Sequence, residues 1–270
     1  MKRKVYINSL LLFLIALLLL SGCEEDVVVN LKQIEKKLVV EATLTNESPA
    51  IKVTMSYSEG FYDTPDFHSI TDAAVWITDQ NGNKTNLNVQ YDSLFQSGFF
   101  EPVAGEDYHL NISVDDRYFE VSTYLPEQVS ISNVFFVQNP FWETADSLNA
   151  FVAVEDPKGE DNYFRLFVNK KGRETIGEFY LVEDALGKDG TIIMPVYYKN
   201  FSPGDTVVLE LRHLTRSLYE YYLGLTENIS GSFNSIAPGN PASNMPEDVY
   251  GVFAGYSVAR DTVIVSAFSF

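Results

Sequence analysis

Ile51-Lys52-Val53-Thr54-Met55 alternates apolar and polar side chains without a break. A two-residue period of this kind belongs to a strand with one face buried and one face wet. Leu38–Leu44, Ala74–Thr78, Leu87–Val89, Tyr108–Val114 and Tyr118–Tyr124 also read as strands. Turn residues separate them. Asn81-Gly82 predicts a type I′ hairpin, because both residues tolerate positive φ. Asp115-Asp116 predicts a second hairpin. Leu125-Pro126 closes the set, since proline cannot continue a central strand. About seven short strands in roughly ninety residues suit an immunoglobulin-like sandwich.

The second half repeats the style without repeating the sequence. Val129–Ile131, Phe135–Val137, Phe151–Val154, Tyr163–Val168, Phe179–Val182, Ile192–Tyr198 and Thr206–Leu211 are strand-like, with turns at Asp156-Pro157-Lys158-Gly159, Asp189-Gly190 and Pro203-Gly204-Asp205. One helix is expected after them. Ser217 and Glu220 have capping-box spacing. Leu214, Leu218, Tyr221, Tyr222 and Leu225 fall on one face of a 3.6-residue period. A helix of about three turns is too short to stand alone and needs a sheet to pack on. Residues 230–249 read as a long loop, and Val252–Val258 and Thr262–Val265 as the closing strands.

The fold expected is therefore all-β, two tandem immunoglobulin-like sandwiches, the second with a short helix and long loop inserted before its final strands. Composition agrees. The 16 Tyr and 19 Phe favour half-buried pleated surfaces.

The N-terminus carries an address. Lys2, Arg3 and Lys4 precede the apolar run Leu10–Leu20, which is too short for a bilayer span of roughly 20 residues and suits a secretory signal peptide. Ser21-Gly22-Cys23 then follows. This order resembles the bacterial lipobox, whose cysteine is acylated after the peptide before it is removed. The organisation expected is a signal peptide over 1–22, an acidic tether over 23–36, a first sandwich over 37–126 and a second over 127–270, with the insertion at about 215–249. Acyl chains on Cys23 would hold the protein to outer-membrane lipid, each buried methylene contributing roughly 0.8 kcal/mol. Glu24-Glu25-Asp26 resembles the surface-export signal of Bacteroidota lipoproteins, which implies a cell-surface facing; the bland reading is a solvated tether. Val27-Val28-Val29 has the residues to pair with a sheet edge.

Loss of residues 1–22 removes three basic residues and no acid, so the net charge moves from −18 to −21. A surface of that sign repels nucleic acid and anionic lipid. Cys23 is the only cysteine, so no disulfide is available and stability must come from buried apolar area.

Several segments together resemble the domain-of-unknown-function family 4249. They are Lys37-Leu38-Val39-Val40-Glu41 after an acidic lipobox, Asp156-Pro157 with Asn162-Tyr163-Phe164-Arg165, and Gly204-Asp205-Thr206 before a strand and a Tyr-rich helix. Asn240-Pro241-Ala242-Ser243-Asn244 and Gly251-Val252-Phe253-Ala254-Gly255-Tyr256-Ser257 complete the likeness. The family tends to carry a glycine pair where this chain has Asp248-Val249-Tyr250-Gly251. The resemblance implies a Bacteroidota lipoprotein that serves as accessory or partner to a TonB-dependent outer-membrane transporter. It carries over no catalytic residues.

The residues offer little chemistry of their own. The histidines are His68, His109 and His213, and only His68 lies in a loop. No HExxH helix, P-loop or dinucleotide fingerprint is present. Glu155, Asp156, Glu160 and Asp161 cluster at a turn, where acids are most often solvated; a hydrolytic pair built on Asp156, or a calcium ion, are the sharper alternatives. Neither a metal nor a cofactor is expected. Candidate binding residues are the loop aromatics Phe61, Tyr62 and Phe67, then Phe141 and Trp142, then Phe233, Asn240, Asn244 and Met245 of the long loop. The same aromatics serve equally to cap a sandwich end. A non-catalytic transporter partner is the leading reading. A surface glycan- or peptide-binder using the aromatic loops is the second, and an enzyme the third.

Overall fold

The computed structural model describes residues 36–59, 69–138, 148–157, 161–172, 179–183, 190–230 and 240–266. Fourteen strands and one helix are built from these residues. The first seven strands are β1 (Leu38–Leu44), β2 (Ile51–Tyr57), β3 (Ala74–Asp79), β4 (Lys84–Tyr91), β5 (Leu94–Gln96), β6 (Glu106–Val114) and β7 (Arg117–Leu125). The second seven are β8 (Ile131–Gln138), β9 (Leu148–Glu155), β10 (Tyr163–Lys170), β11 (Tyr180–Glu183), β12 (Thr191–Phe201), β13 (Thr206–Leu214) and β14 (Val249–Ile264). Helix α1 (Arg216–Ser230) lies between β13 and β14.

The chain is all-β, and its two halves share one plan. In the first, β1-β2-β5 form one layer and β4-β3-β6-β7 the other. In the second, β8-β9-β12 form one layer and β11-β10-β13-β14 the other, the same order with each index raised by seven. β4 turns the corner of the first sandwich: Lys84–Leu87 pair with β3, and Asn88–Tyr91 with β5. The alternation places the cores. β1 buries Leu38, Val40, Ala42 and Leu44, β2 buries Ile51, Val53 and Met55, and Leu110 and Ile112 of β6 face them across the first core. Phe164, Leu166 and Val168 of β10 pack with Val207, Leu209 and Leu211 of β13 in the second. Each of these side chains larger than alanine contributes about 1.5–3 kcal/mol by leaving water.

β14 belongs to both sandwiches. Val249–Gly255 run parallel to β1, from Leu38↔Val249 to Leu44↔Gly255. Tyr256–Ile264 run antiparallel to β13. The separate closing strands expected at Val252–Val258 and Thr262–Val265 are thus one strand of 16 residues. At roughly 3.3 Å per residue it extends about 50 Å.

Two local expectations are corrected. The type I′ turn is not at Asn81-Gly82, where only Gly82 has positive φ. The Gly82 amide donates to the Asp79 carbonyl at 3.0 Å, and one Asp79 carboxylate oxygen accepts from the amides of Asn81 and Asn83 at 2.9 and 2.8 Å. The Asp79 side chain thereby selects a type I turn followed by a left-handed glycine. The two-residue turn with both φ positive is Asp115-Asp116, at 48° and 60°. Helix α1 is capped by Thr215, not by Ser217 with Glu220: the Leu218 amide donates to Thr215 Oγ1 at 3.3 Å. Ser217 already lies inside the helix, and Glu220 bonds Arg216 one turn back at 2.9 Å.

Candidate functional site

The joint between the sandwiches positions an open groove. Polar side chains close the joint. Asn46, in the β1–β2 turn, accepts the Val258 amide at 2.7 Å and donates to the Val258 carbonyl at 3.2 Å. Ser257 donates to the Glu127 carbonyl at 2.9 Å, and His213 Nδ1 lies 2.7 Å from the same oxygen. A carbonyl only accepts, so that His213 nitrogen carries a proton. Glu47 holds the Arg260 guanidinium through two bonds, at 2.7 and 2.9 Å, and Glu210 holds its third side. The Arg260 hydrogen bond keeps the Glu47 carboxyl below its ordinary range.

Two glycines let the backbones meet. Gly251 has φ +111°, and a Cβ there would overlap the Val40 carbonyl. At Gly255 a Cβ would overlap the Tyr124 carbonyl, and the Gly255 amide donates to Thr123 Oγ1 at 2.9 Å.

Helix α1 lies across the outer face of β10, β11 and β14. Leu218 is buried among Leu214, Ala254, Tyr256 and Val258, with Tyr163, Tyr219 and Tyr222 packed around them. Beneath it runs a ladder of cations and rings. The Arg165 guanidinium sits 3.8 Å from the Phe179 ring centre, 4.1 Å from Tyr222 and 4.7 Å from Phe167, and Arg212 sits 4.5 Å from Phe167 and 4.7 Å from Tyr256. Arg212 is paired with Glu210 at 2.6 Å. Arg165 Nε is buried with no hydrogen-bond partner among the described residues. Burial lowers the pKa of Arg165 and raises that of Tyr256.

The groove follows α1 from its first turn. A hollow of about 290 Å³ opens between Tyr124, Asp161, Tyr163, His213 and Arg216. It shares Tyr124 and Thr215 with a hollow of about 350 Å³ lined by Asp107, Thr123, Ser217, Glu220, Tyr221 and Ser243. That one shares Tyr221 and Ser243 with a third, also about 350 Å³, lined by Asn240, Glu247, Val249 and Tyr250. Burial raises the pKa of Tyr221, so its ring stands neutral between the last two.

Of the residues singled out from the sequence, Asn240 is exposed on the wall of the third hollow. Asn244 donates to the carbonyls of Ser122 and Phe253, each at 2.9 Å, and accepts the Phe253 amide at 3.0 Å. Met245 is 8% exposed and packs in the first core beneath that hollow. Cys23, Phe61, Tyr62, Phe67, His68, Phe141, Trp142, Glu160 and Phe233 lie outside the described residues, as does Val27-Val28-Val29. His109 faces Glu120 at 3.4 Å. Asp156 accepts from Asn162 Nδ2 at 3.2 Å, which ties its turn together. Among the described residues no three His, Cys, Asp or Glu side chains gather as metal ligands. No described helix is long and apolar enough to cross a membrane. Sequence reading missed Tyr124, Tyr163 and Tyr250 as groove residues. Their signal was faint, since each sits in an ordinary strand pattern.

The profile of the family described as Domain of unknown function (DUF4249) matches residues 24–262. The chain belongs to that family. The likeness drawn from the tail now has a physical account. Asn244, Gly251, Gly255 and Ser257 join β14 to the first sandwich and to the segment after it, and Ser243, Asn244 and Gly251 line the groove. No curated protein matches the chain. Among solved structures, a segment of two fibronectin type III domains from chicken tenascin is 10% identical over 86% of this chain and 100% of that one, with a TM-score of 0.24. A DUF4785 family protein from Legionella pneumophila is 15% identical over 66% of this chain and 51% of that one, with a TM-score of 0.25. The chicken interferon gamma receptor alpha chain is 8% identical over 67% and 89%, with a TM-score of 0.19. These scores are too low for any of them to inform the site.

Proposed function

We propose that this DUF4249 protein is a lipid-anchored outer-membrane lipoprotein, facing the cell surface, that acts without catalysis as accessory or partner of a TonB-dependent transporter. The anchor is Cys23, which follows a basic and then apolar leader in lipobox order. One observation carries the reading. The tail motif of the family is used to join two sandwiches and to frame an open groove, which is the work of a contact surface.

The groove lining fits this role. Tyrosine rings bring large contact area at low entropic cost, and are enriched where proteins bind one another. Stiffening helps as well. A surface held on two welded sandwiches loses less freedom on binding than one carried on a hinge.

Affinity purification of the full chain from its own membranes tests the proposal. An outer-membrane β-barrel transporter should co-purify. Retrieval of the intact lipoprotein with no barrel would overturn it.

A further inference from the structure

Resting on that reading of the protein as a partner, we infer that the groove along α1 receives an extended, lysine- or arginine-bearing segment of the partner polypeptide. The shape argues for a strand-like guest. The hollows are neighbours in series, sharing Tyr124 and then Tyr221, so a guest that reaches all three is extended. Three carboxylates mark its course: Asp161 at the first turn of α1, Asp107 beside the middle hollow and Glu247 at the far end. All three are exposed, and none makes an ion pair among the described residues. Of the cations beside the groove, Arg216 is held by Glu220 at 2.9 Å, with Asp161 acting on it at longer range, and Lys37 lies 4.8 Å from the centre of the Tyr250 ring.

The groove therefore offers negative charge spaced along a path, with tyrosine rings between. Lysine and arginine side chains suit both parts. Their cationic heads meet carboxylates, while their methylene stems and the guanidinium plane lie on aromatic faces. An acidic segment would be repelled. A neutral sugar can donate hydroxyls to the same carboxylates but leaves their charge unmet, so its binding is an outcome that the test can register against the proposal.

The probe is a fluorescein-labelled decapeptide of alternating lysine and alanine, titrated with the purified mature chain. The variant is D107K/D161K/E247K. The control is D72K/D92K/E101K, which changes net charge equally at exposed sites away from the groove. Wild type and control should bind the peptide alike, and the groove variant at least tenfold more weakly. The glutamate–alanine peptide and maltohexaose should not compete. Equal weakening in both variants, no binding to wild type, or displacement by maltohexaose would overturn the proposal. Each of these would leave standing the co-purification of a barrel with the full chain, so the two readings fail separately.

Discussion

Gly255 and Tyr124 come so close that a Cβ on the glycine would overlap the tyrosine carbonyl oxygen. The last strand of the second sandwich meets the last strand of the first at this point. Gly255→Val is expected to cost about 2–3 kcal/mol, as overpacking against backbone usually does. Gly98→Ala, where an added Cβ meets nothing within 4 Å, is the control and should be neutral. Urea unfolding followed by tyrosine fluorescence measures both.

Asn244 and Asn240 separate fastening from exposure. Asn244→Ala removes bonds to Ser122 and Phe253 and is expected to cost about 1–3 kcal/mol. Asn240→Ala, on the open wall, should change stability by less than about 0.5 kcal/mol. The same unfolding experiment reads the difference.

The two asparagines also show what the sequence carried. Strand alternation was legible because one face of each strand is buried; Leu38, Val40, Ala42 and Leu44 announce β1 directly. The tandem sandwich follows from that pattern with the turn residues. β14 was not legible as one strand. Its second half passes from the first core to the second, and Tyr256–Ala259 are all buried, so no two-residue period survives there. Turn type at Asn81-Gly82 was lost because the decisive group, the Asp79 carboxylate, lies outside the dipeptide. The groove was least legible of all. Asp107 and Tyr124 meet across the β6–β7 hairpin, and only the folding of α1 over the joint brings Tyr221 to them.

Glu47 gives the joint a pH dependence. Its carboxyl lies below the ordinary value of 4.5 because Arg260 donates to it, so its contribution is fully present above that pH. It is lost as pH falls through the lower folded value. The stability gap between wild type and Glu47→Gln should be constant from neutral pH down to about 5, and then shrink with further acidification. Urea midpoints across that range measure it. A gap that widened as pH fell would contradict the assignment.

Arg165 tests whether charge or packing holds the helix. Arg165→Ala removes the filling of the Phe179–Tyr222 stack and is expected to cost about 2 kcal/mol and to loosen α1. Arg165→Met refills the space without a cation whose Nε has no partner among the described residues, and should cost less than about 1 kcal/mol. Amide hydrogen exchange within Leu218–Leu225 distinguishes loosening of the helix from global unfolding.

The most direct measurement is photocrosslinking in living cells that carry the anchored chain. A benzoylphenylalanine at Tyr221 samples the groove, and one at Tyr118, 60% exposed on the first sandwich, samples a surface away from it. The expected result is an adduct between position 221 and an outer-membrane barrel protein, much weaker or missing at position 118. An intact, membrane-held protein that gives no barrel adduct at position 221 would contradict the account.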